Sequence, residues 1–157
     1  MNLFFINILL SVGFMIALES FTLSSLIMGL IVGYGALWLT RPLYGDNRYF
    51  GRVPTIIRLG AFFIKALFVS NFRVLWDVVT PAHISRPGII GLPLDARTDL
   101  EIMLVANMIS LTPGTLSIDL SEDRRTLYVH VMFLDDIDDI RKELKEGLER
   151  RVLEVLR

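Results

Sequence analysis

The chain has no cysteine, two histidines, and a single charged residue, Glu19, in its first forty positions. Without thiols there is no disulfide, no thiolate metal site and no covalently attached haem. Two histidines leave little for an imidazole metal cluster, and the acidic run at 135–139 lacks the alternating ligands and glycine of a calcium loop. No G-x-x-x-x-G-K, no G-x-G-x-x-G and no pair of histidines at helical spacing is present, so neither a cofactor nor a metal is expected. Nor is there an excess of positive charge. Sixteen basic residues face 17 acidic ones for a net −1, which gives no global field to attract nucleic acid.

What is present is apolar. Of 157 residues, 53% are hydrophobic and 21% charged, and the mean hydropathy of +0.55 is too high for an ordinary water-exposed domain of this size. The charges are also segregated. Residues 41–87 hold seven basic residues against Asp46 and Asp77, a net +5, whereas residues 88–157 hold 9 basic and 14 acidic residues, a net −5. An apolar, a basic and an acidic zone in that order predict a membrane anchor, a membrane-surface element and a water-exposed domain.

Residues 2–18 and 21–39 are two apolar runs of about 17–19 residues, near 27 Å as helix against a hydrocarbon core of about 30 Å. A cleaved secretory signal is the rival reading of the first run. It lacks a basic n-region and an A-x-A cleavage pattern, and a second apolar run follows at once. Residues 1–40 therefore read as a transmembrane helical hairpin turning near Glu19. Arg41, Arg48 and Arg52 follow the second run, which places that side in the cytoplasm under the positive-inside rule. Glu19 reads first as a turn residue within reach of water, and second as a proton or cation ligand.

Residues 41–87 read as a basic loop and an amphipathic helix that is membrane-associated or a third transmembrane span. Over residues 53–79, Arg58, Lys65, Arg73 and Asp77 fall in one helical stripe about 120° wide, with apolar residues elsewhere. Such a helix suits the bilayer interface better than a full crossing. Arg73 and Asp77, at i, i+4, are placed to pair along it. Arg41, Arg48, Arg52 and Arg58 are candidate membrane-surface residues for anionic headgroups, with a subunit contact as the alternative.

Residues 88–157 read as a small cytoplasmic α+β domain of order βαββα, with two helices on one sheet face. Residues 89–94 form a strand ending at Pro93, and Thr98 and Glu101 have capping-box spacing for a helix to about Ser110. Leu116, Ile118 and Leu120, then Leu127, Val129, Val131 and Phe133, alternate with polar residues as two hairpin strands. Acids at 135–139 open a last helix whose apolar stripe runs from Ile137 through Ile140, Leu144, Leu148 and Val152 to Val155. About 70 residues make a marginal core that docking to other subunits helps stabilise.

Chemistry-bearing residues are few. Ser117, Asp119, Tyr128 and His130 project from one face of the expected hairpin, which on paper resembles a hydrolytic set. No strained G-x-S-x-G turn accompanies them, so a polar face is the better reading and no enzyme activity is expected. His130 has the residue type of a pH sensor. Asn107 and the run Ser110 to Thr115 carry more. Thr112 before Pro113 must be extended and Gly114 permits a positive φ, giving a tight turn whose hydroxyls cap the preceding helix or which faces a neighbour.

The run Asn107-Met108-Ile109-Ser110-Leu111-Thr112-Pro113-Gly114-Thr115, followed by Asp119 and Leu127-Tyr128-Val129-His130, resembles the signature of the E subunit of the multisubunit Mrp-type (Mnh) sodium/proton antiporter. The resemblance covers nearly the whole chain, with the apolar hairpin, the basic stretch carrying Trp76 and Asp77, and the small α/β tail. It implies a hetero-oligomer in the cell membrane that exchanges Na⁺ for H⁺. In that family the large subunits, similar to proton-pumping subunits of respiratory complex I, are thought to carry the ion paths. The E subunit is an accessory component needed for assembly or full activity, with no assigned catalytic residue. Asn107, Ser110, Thr112, Pro113, Gly114, Thr115, His130, Trp76 and Asp77 become candidate subunit-interface or structural residues. The expected partners are the other antiporter subunits and the lipid bilayer, with Na⁺ and H⁺ handled by the whole complex. From a different class, a membrane-tethered regulatory module that recruits a soluble partner fits the same zones.

Overall fold

A computed structural model of the chain describes residues 3–44, 49–81 and 84–157. The chain divides into two compact units, Met1–Pro54 and Thr55–Arg157. The division falls at Pro54 inside one helix, where the proline ring removes a helical N–H donor, and not at the composition steps near residues 40 and 87.

In the first unit, α1 (Leu3–Ala17, 15 residues) and α2 (Leu23–Leu39, 17 residues) pack against each other. At 1.5 Å per residue they are about 22 and 25 Å long, shorter than the apolar runs imply. The difference lies in the connection. Glu19 takes φ +50°, its N–H bonds to the Ile16 carbonyl at 3.0 Å, and the Ser20 N–H bonds to the Met15 carbonyl at 3.1 Å. These two bonds form a Schellman motif with Glu19 in the left-handed position, so Leu18 is used in ending α1. Thr22 then caps α2, accepting from the Ser25 N–H at 3.2 Å.

The α1–α2 contact is made by buried residues at four-residue intervals, Leu3, Asn7 and Ser11 on one helix and Gly29, Gly33 and Leu37 on the other. A Cβ on Gly29 would stand 2.9 Å from the Ser11 backbone, so the glycines let the two backbones approach. Ser11 donates to the Leu26 carbonyl at 2.9 Å, and Asn7 Nδ2 donates to the Tyr49 hydroxyl at 2.6 Å. Tyr34, Tyr49 and Phe50 form an aromatic cluster with centroids 5.5–5.8 Å apart, against buried Leu3 and Leu37.

Helix α3 (Tyr49–Val79) has 31 residues and, among the described residues, alone is long and apolar enough to cross a membrane by length and composition. The rest of the second unit is a three-stranded antiparallel sheet of order β1-β3-β2, with β1 Gly88–Pro93, β2 Thr115–Leu120 and β3 Thr126–Val131. Helices α4 (Asp99–Leu111), α5 (Ile137–Lys142) and α6 (Arg150–Leu156) complete it. Ile90, Leu92, Leu127, Val129 and Val131 from the sheet meet Val105, Ile109, Leu144, Leu148 and Val152 from the helices in one core. Helix α4 carries a complete capping box, with Thr98 accepting from the Glu101 N–H and Glu101 accepting from the Thr98 N–H.

Two features depart from the pattern. The last helix is not one regular α-helix, because Glu143–Glu149 between α5 and α6 is π-helical, although Leu144, Leu148 and Val152 of the expected stripe all enter the core. Glu149, which the stripe leaves outside, ends this segment at 1% exposure, and its Oε1 accepts from the Asp95 and Ala96 N–H groups at 2.6 and 2.9 Å. A register shift between Ser117 and Asp119 breaks the β2 alternation, so Leu116 and Ile118 face outward at 52% and 50% exposure.

Glu101 also accepts from Arg157 Nε at 3.0 Å. That hydrogen bond, with those from the Arg97 and Thr98 backbone, holds its carboxyl at about 2 against an ordinary 4.5. A depressed carboxyl contributes stability that is complete above its unfolded value and lost as pH falls through the folded one. Thermal denaturation of the full chain should therefore show a Glu101-dependent loss between about pH 4.5 and 2, absent in Glu101→Gln. Equal acid sensitivity in the two proteins would exclude this pair as a source of it.

Candidate interaction site

The second unit is organised along one face of α3. Leu59 and Phe62 pack onto the sheet–helix core, and the Arg151 guanidinium lies 4.1 Å over the Phe62 ring. Further along the helix, Arg73 stacks 4.5 Å over Phe133 and pairs with Asp135 at 2.5 Å. The expected Arg73–Asp77 pair along the helix does not form. Asp77 is buried, and its Oδ1 accepts from the Ile84 and Ser85 N–H groups at 2.6 and 3.0 Å. Two donors from the chain leaving α3 satisfy a buried carboxylate better than one exposed arginine on the same helix. Its neighbour Trp76 points the other way and is 67% exposed, on a face with Ile57, Ile64, Phe68, Phe72 and Leu75.

The Ser110–Thr115 turn sits against this joint. Thr112 is extended (φ −85°, ψ 120°) and Gly114 has φ +87°. The Thr112 hydroxyl donates to the Met108 carbonyl at 3.0 Å and the Thr115 hydroxyl to the Ile109 carbonyl at 2.6 Å. Ser110 Oγ accepts from the Ser117 N–H at 3.0 Å, and the Ser117 hydroxyl donates to the Ala106 carbonyl at 2.9 Å. The end of α4 is thus capped by side chains. Thr112, Pro113, Gly114 and Thr115 also line a cavity of about 440 Å³ whose other wall is α3 from Phe62 to Arg73.

Other candidates lie apart. Asn107 is exposed on α4, and His130 is half-buried on the sheet face turned away from the helices. There His130 neighbours Ile89 and Leu116, whereas Ser117 pairs with Val129 on the helix-covered side. The expected common face of Ser117, Asp119, Tyr128 and His130 therefore does not exist, because the β2 shift sends Ser117 inward. Arg41, in a short 3₁₀ turn (Arg41–Leu43), is exposed, as are Arg52 and Arg58. Arg48 lies outside the described residues. Among the described residues no cluster of three or more histidine or acidic side chains is placed to hold a metal.

Asn7, Ser11, Gly29, Gly33 and Glu149 are the structural residues that the sequence reading missed. The G-x-x-x-G spacing of Gly29 and Gly33, with Asn7 and Ser11 also four apart, was the signal available for the first four. Nothing local marks Glu149, because the N–H groups it accepts from, those of Asp95 and Ala96, lie more than fifty positions away.

Residues 7–155 match the family model described as Na+/H+ ion antiporter subunit. The chain is 33% identical over 150 residues to the Na(+)/H(+) antiporter E subunit of Alkalihalophilus pseudofirmus, covering 96% of this chain and 95% of that one. It is 33% identical over 152 residues to the corresponding E subunit of Bacillus subtilis, covering 97% and 96%. The chain belongs to the family of antiporter E subunits. Among solved structures, a chain of the Mrp complex from a Dietzia species superposes with TM-score 0.51 at 27% identity, covering 65% of this chain and 96% of that one. A chain of an archaeal membrane-bound sulfane sulfur reductase gives TM-score 0.57 over 95% and 98%, and at 22% identity it shows the shared fold alone. Membership of the E-type family makes this a membrane protein of multisubunit antiport. It gives no support to a membrane-tethered regulatory module that recruits a soluble partner.

Proposed function

We propose that this chain is an accessory subunit of a Na⁺/H⁺ antiporter complex in the cell membrane, needed for assembly or full activity, and that its partners carry the ion path. The observation behind this reading is the full-length likeness to its E-type relatives together with an α1–α2 contact built only from apolar, amide, hydroxyl and glycine groups. An ion path needs ionisable or multiply coordinating groups at membrane depth, and Glu19 stands exposed at the helix connection in a backbone role. α1 and α2 then form the membrane pair, with local thinning or flanking residues absorbing their short length.

For α3, a surface position is favoured over a crossing. Along Leu59 to Arg73 one face is occupied by a domain carrying Asp135, Glu143 and Arg151, charges that do not belong in hydrocarbon. The opposite face is apolar and exposed, as an in-plane helix requires. The strand-bearing domain then lies in the cytoplasm. Asn107, the 110–115 turn and His130 stand as candidate contacts to other subunits.

The test is Na⁺-driven proton exchange in vesicles from cells lacking this chain and from cells restored with it. Exchange should be lost and then recovered, and Glu19→Gly should restore it as well as the native chain, since glycine suits the left-handed position at no steric cost. Full exchange without the chain would remove the transport role. Failure of Glu19→Gly alone, with normal incorporation, would make Glu19 an ion ligand.

A further inference from the structure

Two cavities lie along the same face of α3. The first, about 290 Å³, is lined by Thr55, Arg58, Leu59, Glu146, Arg150, Arg151 and Glu154. The second is the 440 Å³ cavity, walled mainly by Phe62, Ala66, Val69, Leu144 and Leu148 and lined by Lys65, Ser70, Arg73 and Glu143 as well. Arg151 lines the first, Phe62 lines the second, and the two side chains are stacked on each other, so they form the wall between a polar and an apolar compartment.

We infer that this face of α3 is a binding site for one anionic phospholipid, with the phosphate between Arg58, Arg150 and Arg151 and an acyl chain along Phe62, Ala66 and Val69. The proposal rests on the membrane-surface reading of α3, and it lifts this one lipid out of the bilayer into the cleft between the helix and its domain. Charge distribution favours it. Residues 88–157 are net −5, yet that domain turns two adjacent arginines toward the cavity where α3 supplies a third. Arg150 is held by Glu154 at 3.0 Å, and Arg151 is fixed by the Glu146 and Gly147 carbonyls and the Phe62 ring. Such preorganised guanidinium groups suit a phosphate, whose oxygens accept from two forks at once. Glu146 and Glu154 also line the cavity, so three guanidinium groups face two carboxylates there and one positive charge is left over. An apolar compartment of this size across the Phe62–Arg151 wall separates an amphiphile from inorganic phosphate as the occupant. Basic pockets beside membrane helices on the cytoplasmic side are where anionic headgroups are held.

The experiment titrates the full chain, purified in mild detergent, with phosphatidylglycerol, phosphatidylcholine or inorganic phosphate, and counts bound lipid by native mass spectrometry. One phosphatidylglycerol per chain should bind in preference to phosphatidylcholine. Arg58→Gln should weaken it about fivefold, as expected for one arginine at a phosphate, and Arg125→Gln, which removes an exposed cation from the β2–β3 loop, should leave it unchanged. Ala66→Phe should fill the apolar compartment and weaken phosphatidylglycerol with no effect on phosphate. Equal losses for Arg58→Gln and Arg125→Gln would reduce the site to general surface charge and overturn it. So would equal binding of the two lipids, or phosphate competing as well as the lipid. Failure of the membrane reading looks different, since the chain would then not enter phosphatidylcholine nanodiscs at all.

Discussion

Gly29→Val should separate α1 from α2 and remove the chain from its complex. The Gly29 position offers no room, since a first side-chain carbon there would stand 2.7 Å from Ser11 Oγ and 2.9 Å from the Ser11 Cα and carbonyl oxygen. Backbone atoms cannot turn aside as a flexible side-chain end does, so the helices must part. Parting them breaks the Ser11 bond to the Leu26 carbonyl and strains the Asn7 contact one turn along. We expect a loss of about 3 kcal/mol, the upper end of overpacking costs, with steeper consequences where no water is present to rescue the freed hydroxyl. Gly13→Val is the control, since nothing lies within 4 Å of that position. Affinity recovery of the antiporter subunits through a tag on this chain is the readout. Undiminished recovery with Gly29→Val would show that α1 and α2 need not touch for assembly.

Glu149→Ala should be nearly as damaging by another route. Its Oε1 is the acceptor for the adjacent N–H groups of Asp95 and Ala96, the latter 3% exposed, in the segment joining β1 to α4. Two donors left without a partner at about 1–3 kcal/mol each give a loss on the order of 3 kcal/mol. Glutamine keeps the acceptor and the shape, so Glu149→Gln should lose about 1 kcal/mol, the difference between a charged and a neutral acceptor. Oε2 is buried with no hydrogen-bond partner. Thermal unfolding of the full chain followed by circular dichroism separates the two variants. If glutamine proves as harmful as alanine, the negative charge and not the hydrogen-bond geometry holds this segment.

The elements whose signal is local were readable before any coordinates. The Thr98–Glu101 cap, the alternation of β3 and the apolar character of α1 and α2 each depend on residues within a few positions of one another. The stripe of Arg58, Lys65, Arg73 and Asp77 was legible as a stripe, but the partners of its members were not. Arg73 reaches Asp135 across 62 positions, and no periodicity on α3 encodes that. The β2 reading failed because a single irregularity reverses every side chain beyond it, which exposed Leu116 and drew Ser117 inward. Asn7 and Ser11 were hidden differently. One amide and one hydroxyl scarcely change the average of a strongly apolar helix, although they occupy the positions where α1 meets α2. Within the candidate site, the turn at 110–115 was visible from its Thr-Pro-Gly order, and its position against α3 was not.

The end of α1 is closed by main-chain hydrogen bonds at Glu19 and Ser20, and the carboxylate of Glu19 stays outside them. A thiol introduced there inherits the same backbone cost as the glutamate and, in a chain with no other sulfhydryl, becomes a unique handle. An impermeant maleimide added to sealed vesicles of either orientation would tag it from one aqueous compartment only, reporting which way the whole polypeptide is threaded.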